Sequence, residues 1–420
     1  MRDNQLSLTT SEQNVLKLVD ESKASNVALM QRLIQIRSYT GEEEEIGEFL
    51  VREVRKFGLE DVRIVQQSDG RPNVVARYHG RTGKPSMTVY GHYDTVPAGN
   101  VTRWTYGPFS GALVGNRIYG RGGSDHKFPI SPMLHAIKAI QDAGVTLNGD
   151  VVFAFVCDEE FGGHKGTKFL VDEGYCDTDY LLYSGGGSEG KTIGVASNPR
   201  AYYRINVRGK TTHTGRNEAG VNAALKAAKL ISRLETLGAI VNNRRLKFNA
   251  GDVEIEGRGR FSVNYVHAST CGNNVPDNCT IVIDRRLIPV HETFEGAQAE
   301  IQSVLDDMKK EDPEFDAEVI WVPDRWMEGV VQDPHSPLVK ALQRSAEKVL
   351  HFTPTIGKGP TGSSSDNGWY ASKYPGRSTA SYGVSRGGNS HTYDEYITVD
   401  GLIDSTKIYA LTMMDLLGIM

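Results

Sequence analysis

The segment that most restricts the fold is residues 150–157, which read DVVFAFVC and are apolar at both alternating sets of positions. A strand with two apolar faces belongs in the centre of a sheet that is covered on both sides. Shorter β-branched strands are predicted nearby, and they alternate with segments of helical spacing. This alternation predicts a three-layer α/β domain with a mixed sheet. The predicted strands are 62–65, 73–77 and 86–90, and the predicted helices are 11–35, 43–57 and 128–143.

The pattern changes near residue 200, because residues 201–208 alternate strictly between apolar and polar. Such alternation is typical of an antiparallel sheet with one face in water. The order of elements that follows is β-α-β-β-α-β-like and predicts an inserted α+β domain of ferredoxin-like type. We therefore expect one domain from residues 1–199 and 313–420 and a second from 200–312. The second contains strands near 251–255, 260–266 and 279–286 and helices near 221–237 and 294–310.

Composition excludes several classes of partner. The 420 residues carry a net charge of -5, with no basic segment suited to nucleic acid and no apolar run of membrane-spanning length. The polar start of the chain does not resemble a signal peptide. We expect a cytoplasmic protein whose few cysteines are reduced, since their spacing fits neither a metal site nor a disulfide framework. These are Cys157, Cys176, Cys271 and Cys279.

Imidazole and carboxylate side chains follow two of the predicted strands. His92 and Asp94 come directly after strand 86–90, and Glu159 and Glu160 come after strand 150–157. Functional groups collect at the carboxyl ends of strands in open α/β sheets, and crowded acids repel unless a cation is present. This arrangement predicts a metal site. A solvated acidic loop and a structural His–carboxylate pair are the alternatives.

Two glycine-rich loops add further candidates. Asp125 lies in YGRGGSDHK, residues 119–127, and His391 lies in GGNSHTYDE, residues 387–395. Taken alone, Asp125 is also typical of a helix cap, and His391 of a surface turn. Together with the residues after the strands, they form the set of imidazoles and carboxylates that holds a hydrolytic metal ion and places a base beside it.

Considered jointly, these segments resemble metallopeptidase family 20, which contains aminoacylases, carboxypeptidase G and succinyl-diaminopimelate desuccinylase. The resemblance extends over nearly the whole chain, and its strength lies in the number of motifs that occur in order. These motifs are GHYDTVP at 91–97, Trp104 with GPF at 107–109, YGRG at 119–122, Asp125 with Lys127, DEE at 158–160, Gly209 with His213, NNVP at 273–276, Asp284 with Arg286, and His391.

The resemblance implies a role for each metal-site residue. His92 would bind one divalent ion, Glu160 and His391 would bind a second, and Asp125 would bridge the two. Asp94 would orient His92. The ions would be zinc, manganese or cobalt.

The resemblance also implies catalytic and substrate-binding roles. Glu159 would be the general base that takes a proton from the attacking water. The inserted domain would be a lid and dimerisation domain in a homodimer or larger homo-oligomer, and its His213 would stabilise the oxyanion in the partner's site. Asn273, Arg286 and the loop at Gly387 would hold a substrate carboxylate. A turn or cap role for His213 and a surface role for Arg286 stay open.

One family feature is missing from the sequence. The family places an acidic ligand of the first metal at a position that aligns here with Gly185, in the run SGGGS at 184–188. Glycine has no side-chain donor, and Glu189 is the nearest possible substitute. We therefore expect one working metal ion per chain, held by Asp125, Glu160 and His391, with His92 either completing its shell or contacting substrate.

Three functions remain in competition. The first is hydrolysis of a C–N bond in a small carboxylate-bearing substrate. The second is an aminohydrolase that releases ammonia from an activated aromatic amine, which the missing ligand favours because that reaction develops less oxyanion charge. For this second function, the chain would resemble nitroanthranilate aminohydrolase. The third is a non-catalytic binding protein, against which the presence of Glu159 argues.

Overall fold

A computed structural model describes residues 7–68, 70–184, 189–268, 272–357 and 362–420. The helices within these ranges are α1 (Thr10–Glu21), α2 (Lys23–Gln35), α3 (Glu44–Lys56), α4 (Ile130–Asp142), α5 (Thr167–Asp172), α6 (Ala223–Asn243), α7 (Phe294–Glu311), α8 (Pro337–Leu350), α9 (Gly368–Lys373) and α10 (Val399–Leu417). None of them is long and apolar enough to cross a membrane.

The strands of the first half are β1 (Glu60–Val65), β2 (Asn73–Tyr78), β3 (Gly83–His92), β4 (Ala112–Val114), β5 (Arg117–Tyr119), β6 (Gly149–Val156), β7 (Tyr180–Tyr183), β8 (Thr192–Ile193), β9 (Ala196–Ser197) and β10 (Arg200–Arg208). Those of the second half are β11 (Arg245–Ala250), β12 (Val253–Arg258), β13 (Arg260–Ala268), β14 (Asn278–Arg286), β15 (Asp316–Met327), β16 (Val330–Val331), β17 (Thr355–Ile356), β18 (Ser378–Ser381) and β19 (Tyr396–Thr398).

A six-stranded mixed sheet of order β1-β2-β6-β3-β7-β18 forms the middle of the first unit. Strands β6, β3, β7 and β18 pair in parallel, and β2 is antiparallel to both of its neighbours, β1 and β6. The two apolar faces predicted for β6 pack into different cores, as period-2 geometry requires. One core receives Val151, Phe153 and Phe155, and the other receives Val152, Ala154 and Val156. The prediction of a three-layer domain with a mixed sheet is confirmed.

The helix predicted for residues 11–35 is wrong in one respect, because two helices meet there at Ser22. The Ser22 hydroxyl donates to the Val19 carbonyl oxygen at 2.8 Å, and this serine ends α1 and precedes α2. Serine competes for backbone hydrogen bonds in this way and favours helix ends. An apolar stripe that continues across the break conceals it in the sequence.

A second sheet of order β13-β14-β10-β15 is entirely antiparallel. Helices α6 and α7 pack on it, which gives the ferredoxin-like order that the sequence predicts. Strand β15 belongs to this sheet, although the prediction assigned everything after residue 312 to the first unit. The hairpin β11–β12 is an addition, since its Phe248 and Ile255 pack into the core of the first unit.

The parallel strands of the first sheet bring their carboxyl ends to one edge. Strand β3 ends at His92, and β6 ends at Val156, which lies opposite His92 in the ladder. Asp158 then adopts a left-handed conformation with φ 72°, and this turns the chain so that Glu159 and Glu160 begin a short 3-10 turn. The predicted site residues of both strands therefore lie side by side.

Candidate metal centre

Asp125, Glu160 and His391 converge at the sheet edge. His391 Nε2 lies 3.2 Å from Asp125 Oδ2 and 3.0 Å from Glu160 Oε1. One ligand atom from each residue lies within 4.8 Å of the other two. Two carboxylates and one imidazole at this spacing are a suitable donor set for a divalent transition metal, so the residues present fit the ion.

His92 lies beside this group and is fully buried. Its Nε2 has no hydrogen-bond partner and is 3.4 Å from Asp125 Oδ1 and 3.8 Å from Glu159 Oε2. Its Nδ1 is 3.1 Å from the Asp94 carbonyl oxygen and 3.4 Å from Asp94 Oδ1. His92 thus presents one unpaired nitrogen between two carboxylates, in a position suited to an ion.

Asp94 contacts more than His92. Its carboxylate accepts hydrogen bonds from the Thr40 hydroxyl at 2.9 Å and from the backbone N–H groups of Glu159 and Glu160 at 3.1 and 3.2 Å. Burial alone would raise the pKa of Asp94, but the hydrogen bonds from His92 and Thr40 lower it. Asp94 therefore fixes the Glu159–Glu160 turn as well as the His92 ring.

Glu395 holds the loop that carries Asp125, and the sequence prediction missed it. Its Oε1 accepts hydrogen bonds from the backbone N–H groups of Ser124 and Asp125, both at 2.8 Å, while Oε2 accepts from Arg121 at 2.5 Å. The side chain is buried. The only sequence signal was its place in the run that contains His391.

Electrostatics distinguish the carboxylates of the site. Burial raises the pKa of Glu159 to about 7, against the lowering effect of His92 and Arg200. The pKa of Asp125 is held well below its usual range, because hydrogen bonds from His391 and His92 outweigh burial. Burial alone would lower the pKa of His391, but its hydrogen bonds with Asp125 and Glu160 raise it to about 10. Glu159 is therefore the carboxylate most suited to exchange a proton near neutral pH.

His126 is a buried neighbour that the prediction also passed over. Its ring stacks on that of His92 with centroids 5.2 Å apart and planes inclined by 20°, and the Tyr183 ring centroid lies 5.1 Å from that of His126. Imidazole lone pairs lie in the plane of the ring. Two nearly parallel rings cannot direct them at one ion, so His126 supports His92 by packing.

A cavity of about 690 Å³ opens beside these residues. Asp125, Glu159, Glu160 and His391 line it, together with Gly387, Arg200 and Arg286. Arg286 forms a two-bond pair with Asp284, at 2.8 and 3.1 Å. At Gly387 a Cβ atom would lie only 2.5 Å from the Tyr396 carbonyl oxygen, so glycine is required where this loop passes close to another strand.

Two predicted residues lie away from this cavity. His213 is exposed, and its Nδ1 accepts a hydrogen bond from the Gly215 N–H at 3.0 Å. Asn273 is near it, because the Thr214 N–H donates to the Asn273 carbonyl oxygen at 3.2 Å. Gly185 lies outside the described residues. The structure therefore brings together six predicted residues (His92, Asp94, Asp125, Glu159, Glu160 and His391), and Arg286 and Gly387 join them on the cavity wall.

A mixed sheet with imidazoles and carboxylates at its strand ends, covered by a ferredoxin-like unit, defines a class of metal-dependent hydrolases. Comparison with known families agrees, since the sequence model of Peptidase family M20/M25/M40 matches residues 88–415. The chain belongs to this family and is a metal-dependent hydrolase of the peptidase and amidase kind. Membership of this family suggests a small, peptide-like substrate.

Named relatives and solved structures are consistent with this assignment. Carboxypeptidase G2 of Pseudomonas sp. (strain RS-16) is 28% identical over 324 residues, which are 74% of this chain and 71% of the relative. Succinyl-diaminopimelate desuccinylase of Methylorubrum extorquens is 37% identical over 153 residues, 36% of this chain and 40% of that protein. The fold resembles that of di-peptidase Dug1p from Saccharomyces cerevisiae, with TM-score 0.80, 16% identity and coverage of 97% and 99% of the two chains.

Proposed function

We propose that this protein hydrolyses a C–N bond in a small carboxylate-bearing substrate, using one divalent ion held by Asp125, Glu160 and His391. The observation that carries the proposal is the convergence of these three side chains, with ligand atoms within 4.8 Å, beside the buried carboxylate of Glu159. When bound, the ion supplies a Lewis acid that polarises the substrate and lowers the pKa of water.

Glu159 acts as the general base and then as the general acid. Its carboxylate takes a proton from the attacking water and later delivers it to the leaving nitrogen. The pKa of Glu159, raised to about 7 by burial, supports both directions of transfer at neutral pH. The Asp94 hydrogen bonds to the Glu159 and Glu160 N–H groups keep the base in place during the reaction.

A single working ion is part of the proposal. Among the described residues, Asp125, Glu160 and His391 form the group of metal-binding side chains that lie close enough together to hold one ion. The sequence carries glycine, not a carboxylate, at position 185, where the family places a ligand of the other ion. Metal analysis of protein dialysed against metal-free buffer should find one ion per chain. Two tightly retained ions per chain would overturn this part.

An aminohydrolase reaction on an activated aromatic amine is the second candidate. It is favoured by the same glycine at position 185, because a site with one ion stabilises less oxyanion charge than a site with two. The products distinguish the reactions: ammonia from an aryl amine, or an amino acid from an amide.

Substitution of the base tests the hydrolase directly. Glu159→Gln should reduce kcat by about 10²–10⁴-fold on any substrate found in a panel of peptides, N-acyl amino acids and aryl amines. The metal content should be unchanged, because Glu159 is not among the proposed ligands. Glu173→Gln, at an exposed glutamate after α5, is the matched control. Retained activity in Glu159→Gln would remove Glu159 from the mechanism. If the parent protein binds members of the panel but turns over none of them, the non-catalytic binding protein is favoured.

The second unit is proposed to act as a lid and dimerisation domain, with residues 200–312 as its predicted extent. The exposure of His213 supports a role outside its own cavity, in the active site of a partner subunit. We also propose a cytoplasmic location, which the buried free thiols of Cys157, Cys176 and Cys279 support. Cys271 lies outside the described residues. Light scattering that finds a monomer would contradict the dimer.

A further inference from the structure

We propose that Arg71 and Asn73 are positioning residues for the reaction, because they hold the turn that carries Glu159 and Glu160. This turn consists of residues 158–165 and is called the 158–165 turn. Neither Arg71 nor Asn73 lines the cavity, so both act through the turn and not on the substrate. The inference rests on the proposed function and adds to it two residues outside the metal centre.

Arg71 joins the first residue of this turn to the start of α3. It is only 8% exposed, and its Nη2 donates to Asp158 Oδ1 at 2.7 Å and to Glu43 Oε1 at 2.8 Å. Glu43 directly precedes α3, and its side chain has no exposed surface. A buried cation between two buried carboxylates is held firmly in place, because moving any of the three would leave a buried charge without its partner.

The residue that Arg71 holds sets the direction of the chain at the metal centre. Asp158 has φ 72° and ψ 2°, a left-handed conformation that costs aspartate more free energy than glycine and persists where the surroundings fix it. Its second carboxylate oxygen, Oδ2, accepts a hydrogen bond from the Lys165 N–H at 3.0 Å and so closes the turn. The two glutamates follow directly, so their placement depends on this conformation.

Asn73 holds both ends of the same turn. Its side chain is fully buried, its Oδ1 accepts a hydrogen bond from the Cys157 N–H at 3.2 Å, and its Nδ2 donates to the Lys165 carbonyl oxygen at 2.9 Å. An amide that bonds one backbone donor and one backbone acceptor has only one suitable orientation. Asn73 and Arg71, two residues apart in the chain, therefore fix the entry, the first residue and the end of the turn.

Glu43 connects these contacts to those of Asp94. Its Oε2 accepts a hydrogen bond from the Gly41 N–H at 2.9 Å, next to Thr40, whose hydroxyl donates to Asp94. Asp94 in turn accepts from the backbone N–H groups of the two glutamates in the turn. Glu43 thus fixes the partner of Asp158 and also the loop that holds Asp94. Buried polar networks of this kind are cooperative, so the loss of one member weakens the others.

This arrangement predicts a particular kinetic effect. The base must lie within hydrogen-bond reach of the attacking water, and a small misplacement lowers the rate of the chemical step. The proposed base, Glu159, and the proposed ligand Glu160 belong to one turn and would shift together. Loss of Arg71 or Asn73 should therefore lower kcat and metal affinity together and leave KM nearly unchanged.

The test measures kcat, KM and metal affinity per folded molecule, well below the melting temperature of each variant. Arg71→Met should lower kcat and metal affinity by about 10–100-fold each. Arg71→Lys should recover part of both, because it keeps the charge but not the shape of the guanidinium. Asn73→Ser should act in the same direction as Arg71→Met. Arg63→Met, at an exposed arginine of β1 that is paired with Asp61, is the matched control.

Asp158→Gly separates the hydrogen bonds from the backbone conformation. Glycine adopts φ 72° without strain but has no carboxylate for Arg71 or for the Lys165 N–H. We expect kcat to fall as in Arg71→Met, and the double variant should be little worse than either single variant, because both lose the same contact. Parent-like kcat in Asp158→Gly would contradict the inference. This variant and Asn73→Ser keep the test decisive if Arg71→Met does not fold.

The outcomes separate this inference from the proposed function. If Arg71→Met and Asn73→Ser lower only the melting temperature and leave kcat and metal affinity unchanged, both residues are merely structural and the inference fails. If the metal-loaded parent hydrolyses no C–N substrate, the proposed function fails, and amide hydrogen exchange of the metal-free protein, measured by mass spectrometry, then decides. Faster exchange of residues 158–165 in Arg71→Met, with unchanged exchange in α7, supports the positioning role. Unchanged exchange of residues 158–165 overturns it.

Discussion

Asp366 is a buried acid with no cation paired to it among the residues that the structure describes. The side chain is inaccessible to solvent, its Oδ1 accepts a hydrogen bond from the Tyr90 hydroxyl, and its Oδ2 has no partner. Burial raises the pKa of Asp366 to about 8. At neutral pH the folded protein therefore favours the protonated carboxyl group, whereas the unfolded chain exposes an ordinary aspartate.

This difference predicts a pH-dependent stability. Because the folded state binds the proton more tightly, the contribution of Asp366 is greatest at low pH and is lost as pH rises from about 4 to about 8. Asp366→Asn should remove this dependence, which amounts to at most about 1.4 kcal/mol per pH unit. Urea unfolding of both proteins between pH 5 and 8 measures it. Asp400→Asn, at an exposed residue, is the control, and parallel pH profiles of Asp366→Asn and the parent would contradict the prediction.

The sequence predicts some of these residues and not others for a physical reason. His92, Asp125, Glu160 and His391 are recognisable because metal ligands require particular side chains next to glycine-rich turns. Arg200 looks like one more polar residue at a strand start. Its burial in the cavity wall and its hydrogen bonds to the Glu159 and Glu160 carbonyl oxygens are not encoded in local spacing. The same holds for Asp366, whose partner Tyr90 is 276 residues away.

At the scale of elements, the segment between β18 and β19 organises one side of the site. It carries both His391 and Glu395, with φ 61° at His391 and with Glu395 fixing the N–H groups of Ser124 and Asp125. One connection thus supplies a proposed ligand and also holds the loop of another. Local sequence reasoning identified the His but not the tertiary hydrogen bonds, because those bonds join segments about 270 residues apart.

Removal of Glu395 should weaken the site without removing a ligand. Glu395→Ala leaves the Ser124 and Asp125 N–H groups and Arg121 without their acceptor. We expect metal affinity to fall by about 10–100-fold, the usual effect of losing an outer hydrogen-bond partner. Competition with a chromogenic chelator measures the change. Asp394→Asn, which affects the neighbouring contact to Thr105, is the control. Unchanged metal affinity in Glu395→Ala would show that the loop carrying Asp125 keeps its conformation without Glu395.

At the scale of the whole molecule, an aromatic cluster joins the two units. Trp326 of β15 packs edge-on against Trp369 of α9, with ring centroids 4.7 Å apart, and against His164 at 5.4 Å. The His164 ring also contacts the Trp326 carbonyl oxygen, at 2.9 Å. Because β15 belongs to the second sheet, we expect this cluster to couple the unfolding of the two units. The predicted boundary at residue 312 missed it, since strand pairing and not strand composition decides which sheet β15 joins.

Trp326→Ala should separate the unfolding of the two units. The loss of a large aromatic side chain costs about 3–5 kcal/mol when it is fully buried, and less at this half-buried position. We expect calorimetry to resolve two transitions where the parent protein gives one. Trp104→Ala, at a buried tryptophan that donates to the Ala98 carbonyl oxygen, should lower the melting temperature without splitting the transition. A single transition in both variants would argue that other contacts couple the units.

The distribution of the proposed ligands along the chain has a consequence during protein synthesis. Glu160 and His391 are 231 residues apart, although their side chains touch. At about 5–20 residues per second, a ribosome needs roughly 10–50 s to reach the second after the first. Until then the nascent chain carries an incomplete, negatively charged half of the site. Metal capture is therefore a late event in the life of each new molecule, and a cell short of the ion would accumulate chains that are fully translated but not yet active.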